Sequence, residues 1–270
     1  MSPAAAGNPR VWDPSAYLAF AAFRARPVED LLHRLTLDAP GSVYDLGCGA
    51  GNITAMLAAK WPGRAVTGLD SSPAMLAAAQ KRFPDMRWES GDIAAWAPPA
   101  PAALLFSNAA LHWVPDHAGL VPRLMGALVP GGILAAQMPN TADAPYRACL
   151  DQVLKRDPWR GRLADVATHP DPLRAGDYYD LLKPHAAEVD IWETHYAHPL
   201  ENLDAVVAWV SGAALVPYLS VLTETEKQRF LGDYRDAAAR AYRPQADGRV
   251  LFTMRRLFLT AKRCRGGTAR

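Results

Sequence analysis

A glycine-rich run, residues 45–52 with the sequence Asp-Leu-Gly-Cys-Gly-Ala-Gly-Asn, constrains the fold of this 270-residue chain more than any other feature. The apolar residues 43–46 predict a strand that enters the run, and Ile53, Met56 and Leu57 mark one face of a helix that leaves it. Glycines at such a strand-to-helix turn let the backbone approach a ligand beside the N-terminus of the helix. The run therefore predicts that a nucleotide-like ligand binds at the end of the first strand.

The spacing of the glycines and the charge before them narrow the class of ligand. Gly47, Gly49 and Gly51 follow a GxGxG pattern, whereas the dinucleotide fingerprint GxGxxG needs a glycine at position 52, where this chain has Asn52. Asp45 would repel a pyrophosphate and would suit a nearby ammonium group. The run thus favours a neutral or cationic ligand over a dinucleotide.

Two further acidic residues follow predicted strands and suit an adenosine. Asp70 ends a strand 19 residues after Gly51, where a carboxylate can accept hydrogen bonds from both ribose hydroxyls. Gly91-Asp92-Ile93 follows the next strand, so Asp92 can accept from an adenine amino group while the next backbone N–H meets a ring nitrogen. Met75 is placed to pack on the adenine ring.

Short apolar runs alternate with helical patterns along residues 42–138, the rhythm of βαβ units in a parallel sheet. Ser72 and Pro73 supply an N-cap and a first-turn proline for the second helix. A later helix is predicted through Leu120, Leu124 and Leu128. The predicted fold class is α/β, a doubly wound, mostly parallel sheet of seven strands with a helical cap. The predicted strands cover residues 43–46, 66–70, 86–89, 104–108, 133–138, 189–196 and 250–261.

Composition and charge limit the expected partners and location. The formal net charge is only +2, which gives no support for binding to a nucleic-acid backbone. Three scattered cysteines contain no CxxC pair, so neither a disulfide framework nor a structural metal site is indicated. The N-terminus has no signal-peptide pattern, and no apolar run is long enough to span a bilayer. We expect a cytoplasmic protein with no metal, nucleic-acid or membrane partner.

The three motifs together resemble those of class I S-adenosylmethionine-dependent methyltransferases: Asp45-x-Gly-x-Gly-x-Gly, Asp70 and Gly91-Asp92-Ile93. The resemblance implies a seven-stranded sheet whose last strand is antiparallel to its neighbours. It also implies that S-adenosylmethionine lies across the carboxyl ends of the strands and leaves as S-adenosylhomocysteine. The cofactor-binding residues that we predict are Tyr17, Arg26, Asp45, Gly47, Gly49, Gly51, Asn52, Asp70, Ser71, Met75, Asp92, Ile93 and Asn108.

A closer resemblance covers most of the chain and is to the trans-aconitate 2-methyltransferase family. It rests on Trp12-Asp-Pro-Ser-x-Tyr17, Phe20-Ala-Ala-Phe-Arg24-Ala-Arg26-Pro27, Asn108-Ala-Ala-Leu-His112-Trp113, Gln137-Met-Pro139, Tyr178-Tyr179, Val189-Asp-Ile-Trp192 and Arg256-Leu-Phe258. The resemblance implies that one carboxylate of a small polycarboxylic acid is esterified. One departure concerns the substrate: members of the family tend to carry Leu-Arg-Pro where this chain has Leu215-Val216-Pro217.

A carboxylate with a pKa of about 4 is already a nucleophile at neutral pH, so methyl transfer to it requires no general base. The site must instead align the reactants and supply hydrogen-bond donors for the other carboxylates, for which arginine is best suited. We predict that His112 and Trp113 position the acceptor in the catalytic site. The predicted substrate-binding residues are Arg24, Gln137, Tyr178, Tyr179 and Arg256. Arg255 and Arg256 must point to opposite faces of a strand, and the resemblance selects Arg256.

The expected division of the chain follows from these assignments. Residues 1–30 form a helical segment that closes the cofactor site, and residues 31–140 form the cofactor-binding α/β core. Residues 141–188 and 197–248 are long for connections, so we expect them to form a helical cap that binds the acceptor. Residues 189–196 and 249–263 complete the sheet, and residues 264–270 form a flexible tail.

Two other functions remain open from sequence. One is an O- or N-methyltransferase acting on a phenol or an amine, which Val216 makes more credible and for which His112 would be the base. The other is a protein that binds S-adenosylmethionine or another adenosine ligand without turnover, since cofactor residues alone do not establish an acceptor site.

Overall fold

The computed structural model of the chain describes residues 21–166 and 172–265, with side chains from residue 25 onward. The helices are α1 (Ala21–His33), α2 (Asn52–Lys60), α3 (Pro73–Arg82), α4 (His117–Gly126), α5 (Pro145–Leu154), α6 (Trp159–Arg162), α7 (Ala175–Leu182), α8 (Leu203–Ser211), α9 (Val216–Leu219) and α10 (Glu224–Ala241). The strands are β1 (Val43–Leu46), β2 (Val66–Asp70), β3 (Arg87–Ser90), β4 (Ala102–Asn108), β5 (Leu128–Pro139), β6 (Ala186–Leu200) and β7 (Val250–Arg263).

All seven strands form one sheet in the order β3-β2-β1-β4-β5-β7-β6. The pairs β2–β3, β1–β2, β1–β4 and β4–β5 are parallel, and β7 runs antiparallel to β5. The predicted fold class and the antiparallel direction of the last strand against β5 are therefore confirmed. The order reverses between β1 and β4, and ligands of open α/β sheets bind at such a switch point, beyond the carboxyl ends of the strands.

The chain divides into two compact units. The sheet unit contains described residues 26–140, 172–196 and 255–265, and the second unit contains residues 21–25, 141–166 and 197–254. The predicted insertion over residues 141–188 is thus shared between the two units, and α7 lies in the sheet unit. The predicted tail lies outside the described residues after position 265.

Side chains of the sheet unit alternate between two apolar layers, one on each face of the sheet. Tyr44 and Leu105 belong to the layer that includes residues of α4 and α7, whereas Val43 and Leu104 belong to the layer that includes residues of α1 and α2. This alternation follows from the period-two geometry of strands. It places helices on both faces of the sheet, as a doubly wound fold requires.

The second unit has an aromatic core of its own, built from α5, α6, α8, α9, α10 and neighbouring chain. Trp159 packs edge-on to Phe230 with 5.2 Å between ring centroids, and its indole N–H donates to Asp233 at 2.6 Å. The hydroxyl of Tyr234 donates to the backbone carbonyl of Tyr146 at 3.2 Å. Buried polar atoms of these rings therefore have partners, which keeps burial of the rings favourable.

The region around Leu128 corrects one sequence prediction. The predicted helix through Leu128 ends instead at Gly126, and Leu128 begins β5. The glycine at position 132 serves the strand, since a side chain there would lie 2.9 Å from the carbonyl oxygen of Val129 and 3.0 Å from that of Ala102. The Pro130-Gly-Gly132 segment therefore forms an irregular start of a strand, where the β4–β5 register shifts, and does not terminate a helix.

Candidate active site

The glycine loop connects β1 to α2 and adopts a backbone that L-residues rarely adopt. Gly47, Gly49 and Gly51 have φ angles of +79°, +55° and +83°. The amides of Gly47 and Cys48 both donate to the carbonyl of Leu69, at 2.8 and 2.9 Å, which ties the loop to the end of β2. The GxGxG spacing thus sets a turn that stays close to both strand ends.

The three glycines differ in what a side chain would meet at each position. A Cβ on Gly47 would lie 2.2 Å from the Cβ of Ala110, and a Cβ on Gly51 would lie 2.4 Å from the indole ring of Trp88. A Cβ on Gly49 would meet no heavy atom within 4 Å among the described residues. Gly47 and Gly51 therefore permit packing within the protein, whereas Gly49 leaves one face of the loop open to a ligand.

Asp70, at the end of β2, holds the loop and the following helix. Its Oδ2 accepts the Gly49 N–H at 2.8 Å, and its Oδ1 accepts the Ser72 N–H at 2.8 Å. A carboxylate offers about four acceptor positions, so two stay available for ribose hydroxyls. Ser72 caps α3 as predicted, because its side chain accepts from the Met75 N–H, with Pro73 in the first turn.

Asp45 is a buried carboxylate that is only partly compensated by the protein. Its Oδ2 accepts from the hydroxyl of Thr54 at 2.7 Å, while its buried Oδ1 has no hydrogen-bond partner among the described residues. Burial raises the pKa of Asp45 to about 7, the charge of Asp70 acts in the same direction, and the Thr54 hydrogen bond opposes both. A cation beside Oδ1 would stabilise the ionised form.

Asn52, the first residue of α2, provides a second buried acceptor near the loop. Its Oδ1 has no hydrogen-bond partner within the described part of the chain. Together with the open face at Gly49 and the uncompensated carboxylate of Asp45, it fits a ligand that has N–H donors and positive charge. S-adenosylmethionine carries both, in its ammonium and sulfonium groups, so these residues fit the cofactor that the sequence predicts.

The segment after β3 is held by a residue that sequence reasoning missed. The guanidinium of Arg123 on α4 donates to the carbonyls of Ile93 and Ala94, at 2.6 and 2.9 Å, and to that of Trp96. The exposed Asp92 accepts the Ala94 N–H at 2.9 Å. The arrangement leaves the second carboxylate oxygen of Asp92 available to a ligand. No local signal marks Arg123, which lies 30 residues further along the chain.

Three predicted site residues form a hydrogen-bonded chain across β4, β5 and β7. Asn108 and Gln137 are paired in the parallel β4–β5 register, and Gln137 Nε2 donates to Asn108 Oδ1 at 2.6 Å. Arg256 Nη1 donates to Gln137 Oε1 at 3.4 Å. Gln137 and Arg256 are buried, with exposed fractions of 1% and 9%. We call Asn108, Gln137 and Arg256 the amide relay.

The backbone beyond Asn108 is strained. Ala109 has a φ of +53°, and it is the one non-glycine residue with positive φ among the residues described. Its amide donates to the carbonyl of Gln137 at 2.8 Å. Ala110 lies where a side chain on Gly47 would stand, so the end of β4 and the glycine loop are in close approach. A strained backbone conformation persists only where the surrounding structure holds it in place, and such conformations are concentrated at functional sites.

His112 and Trp113 lie in a short 3₁₀ turn, Leu111–Trp113, directly after this strained segment. The two rings are 4.9 Å apart, and His112 is 9% exposed. A cavity of about 220 Å³ in the sheet unit is lined by His112, Val114, Pro115, Asp116, His117, Ala118 and Leu173. The predicted catalytic residues therefore lie beside the end of β4, next to a cavity.

Tyr178 and Tyr179 occupy different surroundings in α7. Tyr178 is fully buried, and its hydroxyl lies 2.7 Å from Nδ1 of His117 and 3.4 Å from Sδ of Met138. His117 Nε2 lies 2.9 Å from the carbonyl of Leu111, which can only accept, so Nδ1 accepts from Tyr178. Burial lowers the pKa of His117, in the direction that favours the neutral ring. Tyr178 is thus fully buried with its hydroxyl bonded to His117, while Tyr179 is 45% exposed.

The predicted residues near the N-terminus are only partly described. Tyr17 and the side chain of Arg24 lie outside the described residues. Arg26, at the surface, has its guanidinium carbon 5.2 Å from the ring centroid of Tyr196, whose hydroxyl donates to Asp30 at 2.5 Å. Ser71 is exposed, beside Asp70.

The described part of the chain contains no group of three or more His, Cys, Asp or Glu placed to hold a metal ion. None of the helices within residues 21–166 and 172–265 is long and apolar enough to cross a membrane.

The chain is similar to known methyltransferases in sequence and in fold. Residues 43–132 match the family described as "Methyltransferase domain". The trans-aconitate 2-methyltransferase of Azoarcus sp. (strain BH72) is 45% identical over 253 residues, covering 93% of this chain and 99% of that relative. The enzyme of the same name from Methylobacterium nodulans is 46% identical over 255 residues, with coverages of 94% and 99%. A putative methyltransferase structure from Bacillus halodurans shares the fold, with a TM-score of 0.57 at 15% identity over 88% of this chain and 99% of that one.

The switch-point sheet, the glycine loop and these matches define an S-adenosylmethionine-dependent methyltransferase with the class I fold. S-adenosylmethionine is its cofactor, and a small molecule is its substrate. Identity at this level extends through the second unit, beyond the domain common to methyltransferases. The chain belongs to the trans-aconitate 2-methyltransferase family.

Proposed function

We propose that this enzyme transfers a methyl group to a carboxylate oxygen of trans-aconitate and so forms a monomethyl ester. The observation that carries the proposal is the 45–46% identity, over 99% of their lengths, to two relatives that bear this activity in their names. The buried Arg256 supports it, because a guanidinium is the side chain best suited to hold a carboxylate in bidentate fashion.

The reaction requires alignment more than proton transfer. S-adenosylmethionine supplies an electrophilic methyl on a sulfonium; the C–O bond forms as the C–S bond breaks, and the electron pair remains on a neutral thioether. The attacking carboxylate is ionised at neutral pH, with a pKa of about 4, so no residue must remove a proton. The protein therefore contributes orientation and exclusion of water, which can supply several kcal/mol of rate enhancement.

The proposed roles follow the positions of the residues. The open face at Gly49 and the acceptors Asp45, Asn52 and Asp70 bind the cofactor's amino-acid and ribose parts. Asp92 faces the adenine amino group, and Met75 packs on the ring, as the sequence predicts. The remaining proposed cofactor contacts are Tyr17, Arg26, Ser71 and Ile93.

Acceptor binding is proposed for residues on two parts of the chain. In the sheet unit, Arg256 acts on the carboxylates, His112 and Trp113 position the acceptor, and Tyr179 is an exposed candidate. In the predicted division, residues 1–30 close the cofactor site and residues 141–188 and 197–248 contribute acceptor contacts. The same proposal places the enzyme in the cytoplasm, acting on a free metabolite without a nucleic-acid partner.

A methyl-transfer screen tests the proposal. The enzyme is mixed with S-adenosylmethionine labelled in its methyl group and, separately, with trans-aconitate, other tri- and dicarboxylic acids, a phenol and an amine. Label in an ester of trans-aconitate, identified by product mass, is expected. Label only in a phenol or amine would support the alternative that Val216 suggests. No transfer to any acceptor, with the cofactor bound, would indicate a binding protein.

A further inference from the structure

We propose that Gln137 is a positioning residue that fixes the orientation of the Asn108 amide, so that Asn108 presents an N–H donor to the acceptor carboxylate. This inference rests on the proposed function. It differs from the sequence prediction in two respects, because Gln137 becomes a residue that acts through another, and Asn108 is assigned to the acceptor and not to the cofactor.

The direction of each hydrogen bond in the amide relay follows from the chemistry of Arg256. A guanidinium has donors only, so the atom of Gln137 nearest to it, at 3.4 Å, must be the carbonyl oxygen Oε1. Nε2 of Gln137 then faces Asn108, and the Asn108 atom 2.6 Å away must be the acceptor Oδ1. The amide nitrogen of Asn108, Nδ2, therefore points away from Gln137.

Burial prevents Gln137 from acting directly. Its side chain is 1% exposed, and both ends of its amide are engaged within the sheet unit. Asn108 is half-buried, and the bond from Gln137 is the one hydrogen bond of its side chain among residues 21–166 and 172–265. Nδ2 thus keeps both protons for a ligand.

Backbone contacts on both sides of Asn108 hold this residue in a fixed position. The parallel register pairs it with Gln137, and the amide of the strained Ala109 is held by the carbonyl of the same residue. Ala110 is in close approach to the glycine loop at Gly47. The Asn108 side chain therefore stands at the strand end nearest to the loop where the cofactor binds.

The relay favours one class of acceptor. A donor that is polarised through two amides by a cationic guanidinium attracts an anionic oxygen, and it offers nothing to the ammonium form in which most amines exist at neutral pH. Gln137 and Asn108 would thus select carboxylates over amines as methyl acceptors. A carboxylate in place of the Gln137 amide would reverse the selection.

Two substitutions separate this role from simple packing. Gln137→Glu keeps the shape and can pair with Arg256, but it cannot donate to Asn108, so the Asn108 amide must turn and present oxygen. Gln137→Met removes the polarity and leaves Asn108 free to turn either way. Gln80→Glu, on the exposed side of α3, is the matched control for an added charge.

We expect kcat/KM for trans-aconitate to fall about 10- to 100-fold in Gln137→Glu, the range for one lost charge-assisted hydrogen bond, and less in Gln137→Met. The affinity for S-adenosylmethionine should change less than about 3-fold in both variants, because neither touches the glycine loop. Gln80→Glu should match the wild type. If Gln137 only packs, the better-fitting Gln137→Glu variant will be at least as active as Gln137→Met, and the inference fails.

The separate kinetic constants give a second readout. Because the relay acts on the acceptor, Gln137→Glu should raise KM for trans-aconitate, whereas a purely structural defect would lower kcat with KM unchanged. An unchanged KM would overturn the relay. Should Gln137→Glu fail to fold, Asn108→Asp replaces the donor directly and must raise KM for trans-aconitate without weakening cofactor binding. Wild-type enzyme that leaves trans-aconitate unmethylated would instead refute the proposed function.

Discussion

The ends of β1 and β2 and the ends of β4 and β5 form two parts of the same sheet edge, yet they are built differently. We call them the loop edge, residues 45–52 with Asp70, and the relay edge, Asn108 and Gln137 with Arg256 of β7. The loop edge is made by backbone conformation: three glycines with positive φ, and a carboxylate that accepts backbone N–H groups. The relay edge is made by side chains bonded to one another.

The difference shows what each edge can specify. Backbone amides and a ribose-binding carboxylate suit a cofactor that is common to many enzymes. The loop edge lies wholly within residues 43–132, which match the general methyltransferase domain, whereas Gln137 and Arg256 of the relay edge lie outside that match. A chain of amides that ends in a guanidinium can select one acceptor chemistry from another. Substitutions at the loop edge should therefore change cofactor affinity, and those at the relay edge should change acceptor kinetics.

The largest effect is expected from Gly51→Ala. Its φ of +83° strains an L-residue, and its Cβ would lie 2.4 Å from the Trp88 ring. Together, left-handed strain and overpacking should lower the free energy of unfolding by about 2 to 4 kcal/mol. Gly49→Ala is the matched control, because its Cβ meets no described atom within 4 Å. We expect Gly49→Ala to weaken cofactor binding at a smaller cost in stability, as measured by calorimetry and denaturant unfolding. Equal destabilisation by both variants would contradict the assignment of the open face.

Asp45→Asn should weaken S-adenosylmethionine binding by about 1.5 to 3 kcal/mol, the usual contribution of a hydrogen bond to a charged group. The amide keeps a partner for Thr54 but loses the negative charge that the buried Oδ1 offers to a cation. Titration calorimetry at about pH 8, where the carboxyl of Asp45 is ionised, gives the affinity. An unchanged affinity would show that the ammonium lies elsewhere.

In the cofactor-free protein, the Asp45 carboxyl should make the free energy of unfolding depend on pH. Burial raises the pKa of Asp45 from 3.8 to about 7, so between these values the folded state binds more protons than the unfolded state. The contribution of protonated Asp45 is therefore complete below about pH 4 and is lost as the pH rises through about 7. Unfolding of wild type compared with Asp45→Asn across this range should show the loss in the wild type only. A parallel pair of curves would argue against a buried carboxyl with a raised pKa.

Arg256→Lys tests the relay edge with a smaller change. Lysine keeps the charge but lacks the planar fork that can hold Gln137 and a carboxylate together, so kcat/KM for trans-aconitate should fall about tenfold. Steady-state kinetics at saturating cofactor measure the fall, and the affinity for S-adenosylmethionine should not change. If only the affinity for S-adenosylmethionine falls, Arg256 serves cofactor binding and not acceptor binding.

The smallest effect is expected at Val216, the first residue of α9 in the second unit. The resemblance implies Leu-Arg-Pro at this place, and the proposed function gives the second unit a part in acceptor binding. On that proposal, the added cation of Val216→Arg should raise kcat/KM for trans-aconitate by about 2- to 5-fold, the scale of a solvent-accessible ion pair. The exposed Val221→Arg is the control for added charge. Equal gains in both variants would indicate only a general electrostatic attraction.

Sequence reasoning located the loop edge because its signals are local. Glycine spacing, the Asp45 carboxylate and the strand-ending Asp70 all lie within residues 45–70, and β1 and β2 have the predicted bounds. The N-cap at Ser72 could likewise be predicted from sequence, since capping depends on residues that are neighbours along the chain. The start of β5 could not be predicted. In sequence, a glycine that lies against the carbonyls of β4 looks the same as a glycine that ends a helix.

The relay edge could be predicted only as separate residues. The sequence predicts Asn108, Gln137 and Arg256 each as site residues, but their connection depends on the β4–β5 register and on β7 returning antiparallel to β5. The partners Thr54 and Arg123 had no sequence signal, because their bonds join elements that meet only in the folded sheet. The hydroxyl partner of Tyr178 could not be predicted for the same reason, since His117 lies on another helix.

The most direct test of the difference between the two edges is a paired measurement on Gly49→Ala and Gln137→Glu. For each variant, calorimetry gives the dissociation constant of S-adenosylmethionine, and kinetics at saturating cofactor give kcat/KM for trans-aconitate. Gly49→Ala should raise the dissociation constant and leave the acceptor kinetics near those of the wild type, and Gln137→Glu should do the reverse. If both variants change both constants to the same extent, the two edges do not act separately, and this account of the site is contradicted.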